Sequence, residues 1–152
     1  NMLSIEDFKK KIDQSSRLIG IDLGKKRIGI AICDENKKIA TPYKTINKTS
    51  FADFIKELKN IINENTIQGL VIGYPINMDG SYGSSAQSTK DIANKISKNI
   101  SIPITLWDER LSSIGAYKLS SQLDVKAAKK IKKIDQNSAA FILQGAIDLI
   151  NN

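Results

Sequence analysis

The sequence contains no histidine and a single cysteine, Cys33, among its 152 residues. Without histidine there is no Ser-His-Asp triad, no His-ligated zinc and no imidazole general base. One cysteine excludes an intrachain disulfide and a thiolate zinc cluster, and its place in an apolar run makes it a small core residue. Any enzymatic chemistry must therefore use carboxylates, lysine, serine or a metal ion.

Long apolar runs are also missing. No stretch approaches the roughly 20 apolar residues that span a bilayer, and the N-terminus lacks the apolar core of a secretory signal. We therefore expect a cytosolic, cytoplasmic protein with no membrane partner. A chain of 152 residues is typical of one domain, which buries roughly two thirds of its unfolded surface.

Acidic residues are outnumbered, with 16 against 23 basic residues and a net charge of +7. Such an excess favours contact with a polyanion, and nucleic acid is the expected partner. The alternative explanation of the positive charge is a Lys-, Ile- and Asn-rich composition that is general to a proteome and says nothing about a partner. Much of the excess is concentrated in one segment that contains Lys126, Lys129, Lys130, Lys132 and Lys133.

Hydrophobic periodicity divides the chain into an N-terminal extension, residues 1–16, and a single domain, residues 17–152. Residues 4–14 predict a short amphipathic helix capped by Ser4, which we interpret as an appendage. The domain then has the order βββαβαβα, an α/β pattern with a five-stranded mixed sheet flanked by helices. The predicted strands are 17–23, 27–33, 37–46, 69–73 and 104–107.

The short connections between the first three strands predict an antiparallel meander. Ser50 is expected to cap the first helix of the domain, and Ser84 with Gln87 forms a capping-box pattern for a helix over about 85–98. The remainder is helical, with one helix from Ser112 or Ser113 to about 121 and a last helix over about 135–150.

Asp22 stands near the end of the strongest apolar strand pattern. Burying an unpaired carboxylate costs several kcal/mol or shifts its pKa until it is neutral, so this acid requires a metal, a cation or a proton-transfer role. The alternative is that it only stabilises the turn before Gly24.

Asp108 and Glu109 end a strand that should run parallel to the strand of Asp22. Parallel strands share their carboxyl ends, so this pair is expected at the same sheet edge as Asp22. Alternation allows only one of the two acids to point at Asp22, and the sequence leaves that choice open. The other acid would form a salt bridge with Arg110.

Asp135 shares one face of the last helix with Ala139, Ile142, Ala146 and Ile150, which directs it towards the sheet. An N-cap role for Asp135 is the alternative. Convergent carboxylates repel one another unless cations intervene, and oxygen-only ligands suit Mg²⁺ or Mn²⁺. Two such ions about 4 Å apart would stabilise an in-line phosphodiester displacement.

Basic residues near these acids are the expected contacts for nucleic-acid phosphates. Arg27 follows Asp22 by one short turn, although an ion pair with one of the acids is an alternative. The other candidates are Arg110 and the four lysines before Asp135, which would position phosphates without sequence specificity: Lys129, Lys130, Lys132 and Lys133. Tyr74 and Tyr82, in the loop Gly73–Gly83, are candidates for stacking on unpaired bases or for packing.

Four motifs in order resemble the YqgF family, also described as the RuvX or Holliday-junction-resolvase-like group. The resemblance covers roughly residues 17–150. Its motifs are Asp22-Leu-Gly-Lys-Lys-Arg-Ile-Gly-Ile-Ala31, Gly73-Tyr-Pro75 with Gly80, Asp108-Glu-Arg-Leu-Ser112, and Asp135-Gln-Asn-Ser-Ala-Ala140.

This resemblance implies an RNase H-like fold and a metal-dependent nuclease, with roles in pre-16S ribosomal RNA processing and ribosome biogenesis or, in an older proposal, in Holliday-junction resolution. It also implies that Asp22, either Glu109 or Asp108, and Asp135 are the catalytic, metal-binding acids. One departure stands out. RNase H-like enzymes commonly carry an acid at the end of the fourth strand, where this chain has Gly73, so an acid after the fifth strand must substitute for it.

Two other functions remain open at this point. A phosphotransferase of the actin and sugar-kinase type is disfavoured, because such enzymes bind nucleotide between two domains and this chain has one. A noncatalytic nucleic-acid-binding module of the same fold would bind with a steep salt dependence and would not cleave. The oligomeric state is open, and a homodimer is one of the alternatives.

Overall fold

The computed structural model describes residues 2–111 and 138–152. Their strands form one six-stranded sheet in the order β1-β6-β5-β2-β3-β4. The strands are β1 (Met2–Leu3), β2 (Arg17–Leu23), β3 (Arg27–Cys33), β4 (Ala40–Asn47), β5 (Ile67–Tyr74) and β6 (Ile104–Asp108). The helices are α1 (Ile5–Lys11), α2 (Phe51–Asn65), α3 (Ser84–Asn99) and α4 (Ser138–Ile150), and a 3-10 turn covers Glu109–Leu111.

The strand directions match the predicted mixed sheet. β2 pairs antiparallel with β3, and β3 with β4, whereas β5 lies parallel between β2 and β6. The carboxyl ends of β2, β5 and β6 therefore lie at one edge. The predicted count of five strands was wrong, because Met2 and Leu3 add a sixth strand parallel to β6.

Each face of the sheet is covered by its own helices. Ile21 and Ile72 pack in the core under α2 and α3, whereas Val71 and Trp107 pack with α4 and with Phe8 of α1. Because side chains alternate along a strand, each strand residue can be assigned to one of these two faces. We call them the α3 face and the α4 face.

Of the caps predicted for α2 and α3, the first is confirmed and the second is wrong. The backbone N–H of Asp53 donates to Ser50 Oγ at 3.1 Å, so Ser50 caps α2 as predicted. The capping box at Ser84 is wrong, because Gly83 is the N-cap of α3 and offers no side-chain acceptor. Ser84 is instead the first residue of the helix.

The N-terminal helix forms as predicted, with Ser4 Oγ accepting from the N–H of Asp7 at 3.2 Å. It is not an appendage, because Phe8 is fully buried. A Cβ added to Gly69 of β5 would lie 2.6 Å from Phe8 Cζ, so the glycine makes room for this ring. Residues 2–11 thus contribute both a strand and a core side chain.

Some predictions fall outside the described residues, namely the helix from about 112 to 121, the lysine-rich segment and Asp135. Within the described part of the chain, no helix is long and apolar enough to cross a membrane.

Candidate active site

Asp22 is half-buried on the α4 face of β2, at the sheet edge shared by three carboxyl ends. Ser138, the first residue of α4, donates a hydrogen bond from Oγ to Asp22 Oδ2. The following turn is closed by main-chain bonds, since the N–H of Gly24 donates to the carbonyl of Arg27 at 3.0 Å. The carboxylate of Asp22 is thus directed at α4, whereas the turn that follows Asp22 is closed by its own main-chain hydrogen bonds.

Glu109 brings a second carboxylate to the same face. It is 8% exposed in the 3-10 turn after β6. A Cβ added to Gly73 of β5 would lie 3.0 Å from Glu109 Oε1, so this carboxylate occupies the space above a residue without a side chain. Gly73 follows Ile72, which pairs with Ile21 next to Asp22. Glu109 itself follows β6, two strands away from β2, but its carboxylate reaches over Gly73 on β5, the strand next to that of Asp22.

Asp108 faces the other way. Trp107 packs on the α4 face, so alternation turns Asp108 to the α3 face. There Arg110 holds it with a 2.7 Å contact between Nη2 and Oδ2 and two bonds of 3.1 Å from Nε. Burial acts to raise the pKa of Asp108, but the hydrogen bonds and charge of Arg110 outweigh it, so the pKa is lowered.

The acids that the sequence analysis grouped are thus only partly brought together. Asp22 and Glu109 share the α4 face, Asp108 forms the predicted alternative ion pair with Arg110, and Asp135 lies outside the described residues. Within residues 2–111 and 138–152, no three side chains form a metal-binding group of His, Cys, Asp or Glu.

The face of α4 that was predicted to carry Asp135 is buried as far as it is described. Ala139, Ile142, Ala146 and Ile150 all lie in the core under this face of the sheet. Asp148, on another side of the helix, is exposed.

Arg27 is exposed at the start of β3, and among the described residues it forms no salt bridge with Asp22, Asp108 or Glu109. In the described part of the chain the salt bridges are Lys44–Glu57 and Arg110–Asp108. Arg110 is engaged by Asp108, whereas the lysines at 129, 130, 132 and 133 are outside the described residues.

Two residues of this site were missed by the sequence analysis, Ser138 and Gly29. Gly29 pairs directly with Asp22. A glycine inside a strand often marks a close approach by a ligand or another backbone, so it could have drawn attention from the sequence. Ser138 carries no such signal, because a serine near a helix start is usually only a cap.

Two known proteins match this chain over nearly its whole length. It is 61% identical over 151 residues to the "Putative pre-16S rRNA nuclease" of Pelagibacter ubique (strain HTCC1062), covering 99% of this chain and 100% of that protein. It is 41% identical over 148 residues to the protein of the same name from Cereibacter sphaeroides (strain ATCC 17025 / ATH 2.4.3), covering 97% and 92%.

Solved structures share the fold at low sequence identity. The first is "T. thermophilus RuvC in complex with Holliday junction substrate", with a TM-score of 0.55, 8% identity and coverage of 88% of this chain and 94% of that chain. The second is the yeast mitochondrial Holliday junction resolvase Ydc2, with a TM-score of 0.52, 15% identity and coverage of 97% and 84%. The fold is therefore RNase H-like, as the resemblance implied.

A family model described as "RuvX: Holliday junction resolvase" matches residues 16–149. The named relatives and the fold agree on a hydrolase that acts on the phosphodiester bonds of nucleic acid. Nucleases of this fold generally use divalent metal ions. The chain belongs to the RuvX Holliday junction resolvase family.

Proposed function

We propose that this nuclease cleaves precursor 16S ribosomal RNA in the cytoplasm during ribosome biogenesis, using divalent ions held by Asp22 and Glu109. Asp135 is proposed as the third acid. The relatives named above carry this substrate in their names. The observation that supports the site most directly is the position of the Glu109 carboxylate above Gly73, beside the strand of Asp22.

Gly73 and Glu109 together account for the departure from the usual RNase H pattern. The fourth strand of the domain, β5, ends without an acid, and the carboxylate from the neighbouring strand lies where a side chain at Gly73 would begin. An acid on β5 and Glu109 could not both occupy this space. Glu109 thus supplies the second carboxylate in place of the acid that β5 lacks.

The donor set suits Mg²⁺ or Mn²⁺, because the two carboxylates offer oxygen ligands and the described residues offer no histidine or exposed thiol. Bound ions, two in our proposal, would activate a water and stabilise the attacking and leaving oxygens of the displacement. Ser138 holds one oxygen of Asp22 through its hydroxyl, which leaves the other carboxylate oxygen to face the ligand.

Phosphate contacts are proposed for cations at the rim of the site. Arg27 is exposed at the β2–β3 hairpin and has no salt bridge among the described residues. Lys129, Lys130, Lys132 and Lys133 precede the proposed third acid and would add contacts to the nucleic-acid backbone. Arg110 forms a salt bridge with Asp108, so we propose that its main role is structural and that phosphate binding is secondary.

The central test measures metal-dependent cleavage by variants of the three acids that the structure describes at this sheet edge, namely Asp22, Glu109 and Asp108. Asp22→Asn and Glu109→Gln keep side-chain shape and remove charge, so we expect each to reduce cleavage of precursor 16S RNA by at least about 1,000-fold. Asp108→Asn is the matched control and should retain activity within about 10-fold. Equal losses in all three variants would contradict the assignment of Glu109.

The substrate and the metal are tested with the same proteins. Precursor 16S RNA and a four-way DNA junction should be compared with Mg²⁺ and Mn²⁺, since preference for the junction would support resolvase activity instead. Mn²⁺ should raise the melting temperature of the wild-type protein, because a ligand that binds only the folded state stabilises it, but not that of Glu109→Gln. RNA binding without cleavage under any metal would favour a noncatalytic module. A homodimer would appear as a doubled mass in light scattering.

A further inference from the structure

Gly29 leaves an open surface beside the catalytic acid. It pairs with Asp22 on one side and with Thr45 of β4 on the other. A Cβ added to Gly29 would lie 3.5 Å from Ala139 Cβ and 3.7 Å from Asp22 Cβ, which is ordinary van der Waals contact. Packing therefore does not require glycine at this position, although glycine weakens a strand.

Gly20 provides the contrast on the same face. A Cβ there would lie 2.7 Å from Leu143 Cβ and 2.8 Å from the carbonyl oxygen of Ala139, so the close approach of α4 requires glycine. Of these two glycines, only Gly29 leaves space that the described residues do not fill. Close approach of a ligand backbone is the other physical reason for a glycine in a strand.

A groove runs from this point across β3 and β4. Its volume is about 190 Å³, and its lining includes Gly29, Pro42, Thr45, Ala139 and Ala140. This is smaller than the roughly 300–1,000 Å³ of an enclosed small-molecule pocket. Ile30, Tyr43 and Lys44 complete the lining. The groove borders β4, the edge strand of the sheet, and its open form suits a segment of a polymer passing over the surface.

The end of the groove is positively charged. Lys25, Lys26 and Arg27 form the tip of the β2–β3 hairpin, and the N–H of Lys48 donates to the carbonyl of Lys26 at 2.9 Å. All four side chains are exposed. None of them takes part in the two salt bridges found in the described residues, so their charges are available to a polyanion.

Thr45 and Asn47 are the polar residues of β4 on the α4 face, opposite Gly29 and Arg27. Both are exposed. Uncharged hydroxyl and amide groups are hydrogen-bond partners for sugar hydroxyls, whereas the neighbouring cations suit phosphates. The surface thus offers sugar contacts and phosphate contacts in adjacent rows.

We propose that the scissile strand is a single-stranded RNA segment that passes from Asp22 over Gly29 to Thr45. Its sugars contact Thr45 and Asn47, and its phosphates contact the basic group formed by Lys25, Lys26, Arg27 and Lys48. This inference rests on the proposed nuclease function and names the path of its substrate. Gly29 is the residue that lets the RNA backbone approach the acids.

Thiol protection tests this path without any need for cleavage. Cys33 is buried, and burial raises the pKa of its thiol, so Cys33 should react slowly with an alkylating reagent and contribute little background signal. Thr45→Cys introduces one exposed thiol in the groove, and Asn63→Cys introduces one on α2, on the other face of the sheet. Both changes are made in the Asp22→Asn protein, so that RNA stays intact.

Saturating unstructured oligouridine RNA should slow alkylation of the thiol at position 45 by at least about 10-fold, as expected for a thiol shielded in a bound complex, and leave that at position 63 unchanged. Equal rates with and without RNA at position 45 would overturn the inference, even if the wild-type protein cleaves RNA. Protection in a protein that never cleaves would support the path and contradict the nuclease.

Filling the groove is a second, independent test. Gly29→Ala adds a Cβ that meets only ordinary contacts, so the melting temperature should not fall, while the Kd for oligouridine should rise by at least about 10-fold as the approach is blocked. Replacing both Lys26 and Lys48 by alanine should reduce the slope of log K against log salt by about 1.4, two contacts at about 0.7 each. Unchanged RNA affinity in Gly29→Ala and an unchanged slope would each overturn the path.

Discussion

The hydroxyl of Ser138 donates a hydrogen bond to Oδ2 of Asp22, joining the first residue of α4 to the end of β2 across 116 positions of sequence. Ser138 is buried, with 4% of its surface exposed. The bond orients the carboxylate that we propose to be catalytic by means of a helix, so the position of α4 and the geometry of the proposed site are coupled. We therefore propose Ser138 as a positioning residue.

Ser138→Ala should separate positioning from binding. Loss of a hydrogen bond to a charged group costs roughly 1.5–3 kcal/mol, and we expect a decrease of about this size in the free energy of unfolding. The value of kcat should fall by about 10-fold with little change in KM, because the RNA contacts that we propose lie elsewhere. Ser138→Thr keeps the hydroxyl and should restore kcat. Equal kcat values in the alanine and threonine variants would exclude this role.

The sequence predicted the sheet well because two strong rules apply to it. Short turns force antiparallel pairing and helical crossovers give parallel pairing, so the shared edge of β2, β5 and β6 followed from connectivity. Asp22 and the pair Asp108-Glu109 were placed at that edge for this reason. The bounds of β2 and β3 were predicted to the residue, since both strands are clear apolar runs.

The choice between Asp108 and Glu109 could not be made from sequence. It depends on which face Trp107 packs against and on where β6 gives way to the 3-10 turn. The sixth strand was missed for a different reason. Two residues, Met2 and Leu3, are too few to show any alternation, and their pairing with β6 is a tertiary contact.

Glycines of β2 and β3 provide a second prediction, on stability. Gly20→Ala should lower the free energy of unfolding by about 3 kcal/mol, because the added Cβ meets a backbone carbonyl and forces α4 to move. Gly29→Ala is the matched control, because its added Cβ meets only ordinary contacts. We expect it to change the free energy of unfolding by less than about 1 kcal/mol. Urea unfolding of both variants measures the difference, and similar losses would contradict the packing described here.

Gly73→Ala should affect activity more than stability. The new Cβ would lie 2.5 Å from Ile142 Cδ1, a flexible end that can turn aside, and 3.0 Å from Glu109 Oε1. Displacing this carboxylate should reduce cleavage by at least about 10-fold, since small misplacement of a catalytic group is costly. Single-turnover rates with saturating RNA measure the effect. Full activity would show that Glu109 does not need the space above Gly73.

Asp108 and Arg110 give a prediction on pH. The pKa of Asp108 is lowered in the folded protein, so the ion pair stabilises the fold above the unfolded-state pKa of about 3.9. This contribution is lost as the pH falls through the lower, folded-state pKa. Asp108→Asn should therefore be less stable than the wild type at pH 7, and the difference should shrink below about pH 4.

Urea unfolding at several pH values measures this difference directly, because the other carboxylates titrate in both proteins and cancel. Glu35→Gln, at an exposed turn, is the control, and its difference from the wild type should stay small throughout. A stability difference for Asp108→Asn that grows on acidification would have the wrong sign for a paired carboxylate.

Lys37 holds the N-terminal segment to the sheet through a buried ammonium group. Only 4% of its surface is exposed, and Nζ donates to the carbonyls of Asp13 at 2.7 Å and Gln14 at 2.5 Å and to Ser16 Oγ at 3.3 Å. Lys37→Met keeps the aliphatic stem but leaves these acceptors without their donor. An unsatisfied buried polar group costs about 1–3 kcal/mol, so we expect the free energy of unfolding to fall by about 2–4 kcal/mol in total.

Hydrogen exchange should locate this loss. The amides of residues 13–17 and of α1 should exchange faster in Lys37→Met, because the connection that holds them to the β3–β4 turn is gone. The neighbouring Lys38→Met removes an exposed charge and should leave both stability and exchange nearly unchanged. Cleavage at low temperature should persist in Lys37→Met, since Lys37 lies in the β3–β4 turn, at the opposite end of β3 from Gly29 and Asp22. A variant as stable as the wild type would mean that water replaces the ammonium at these carbonyls at no cost.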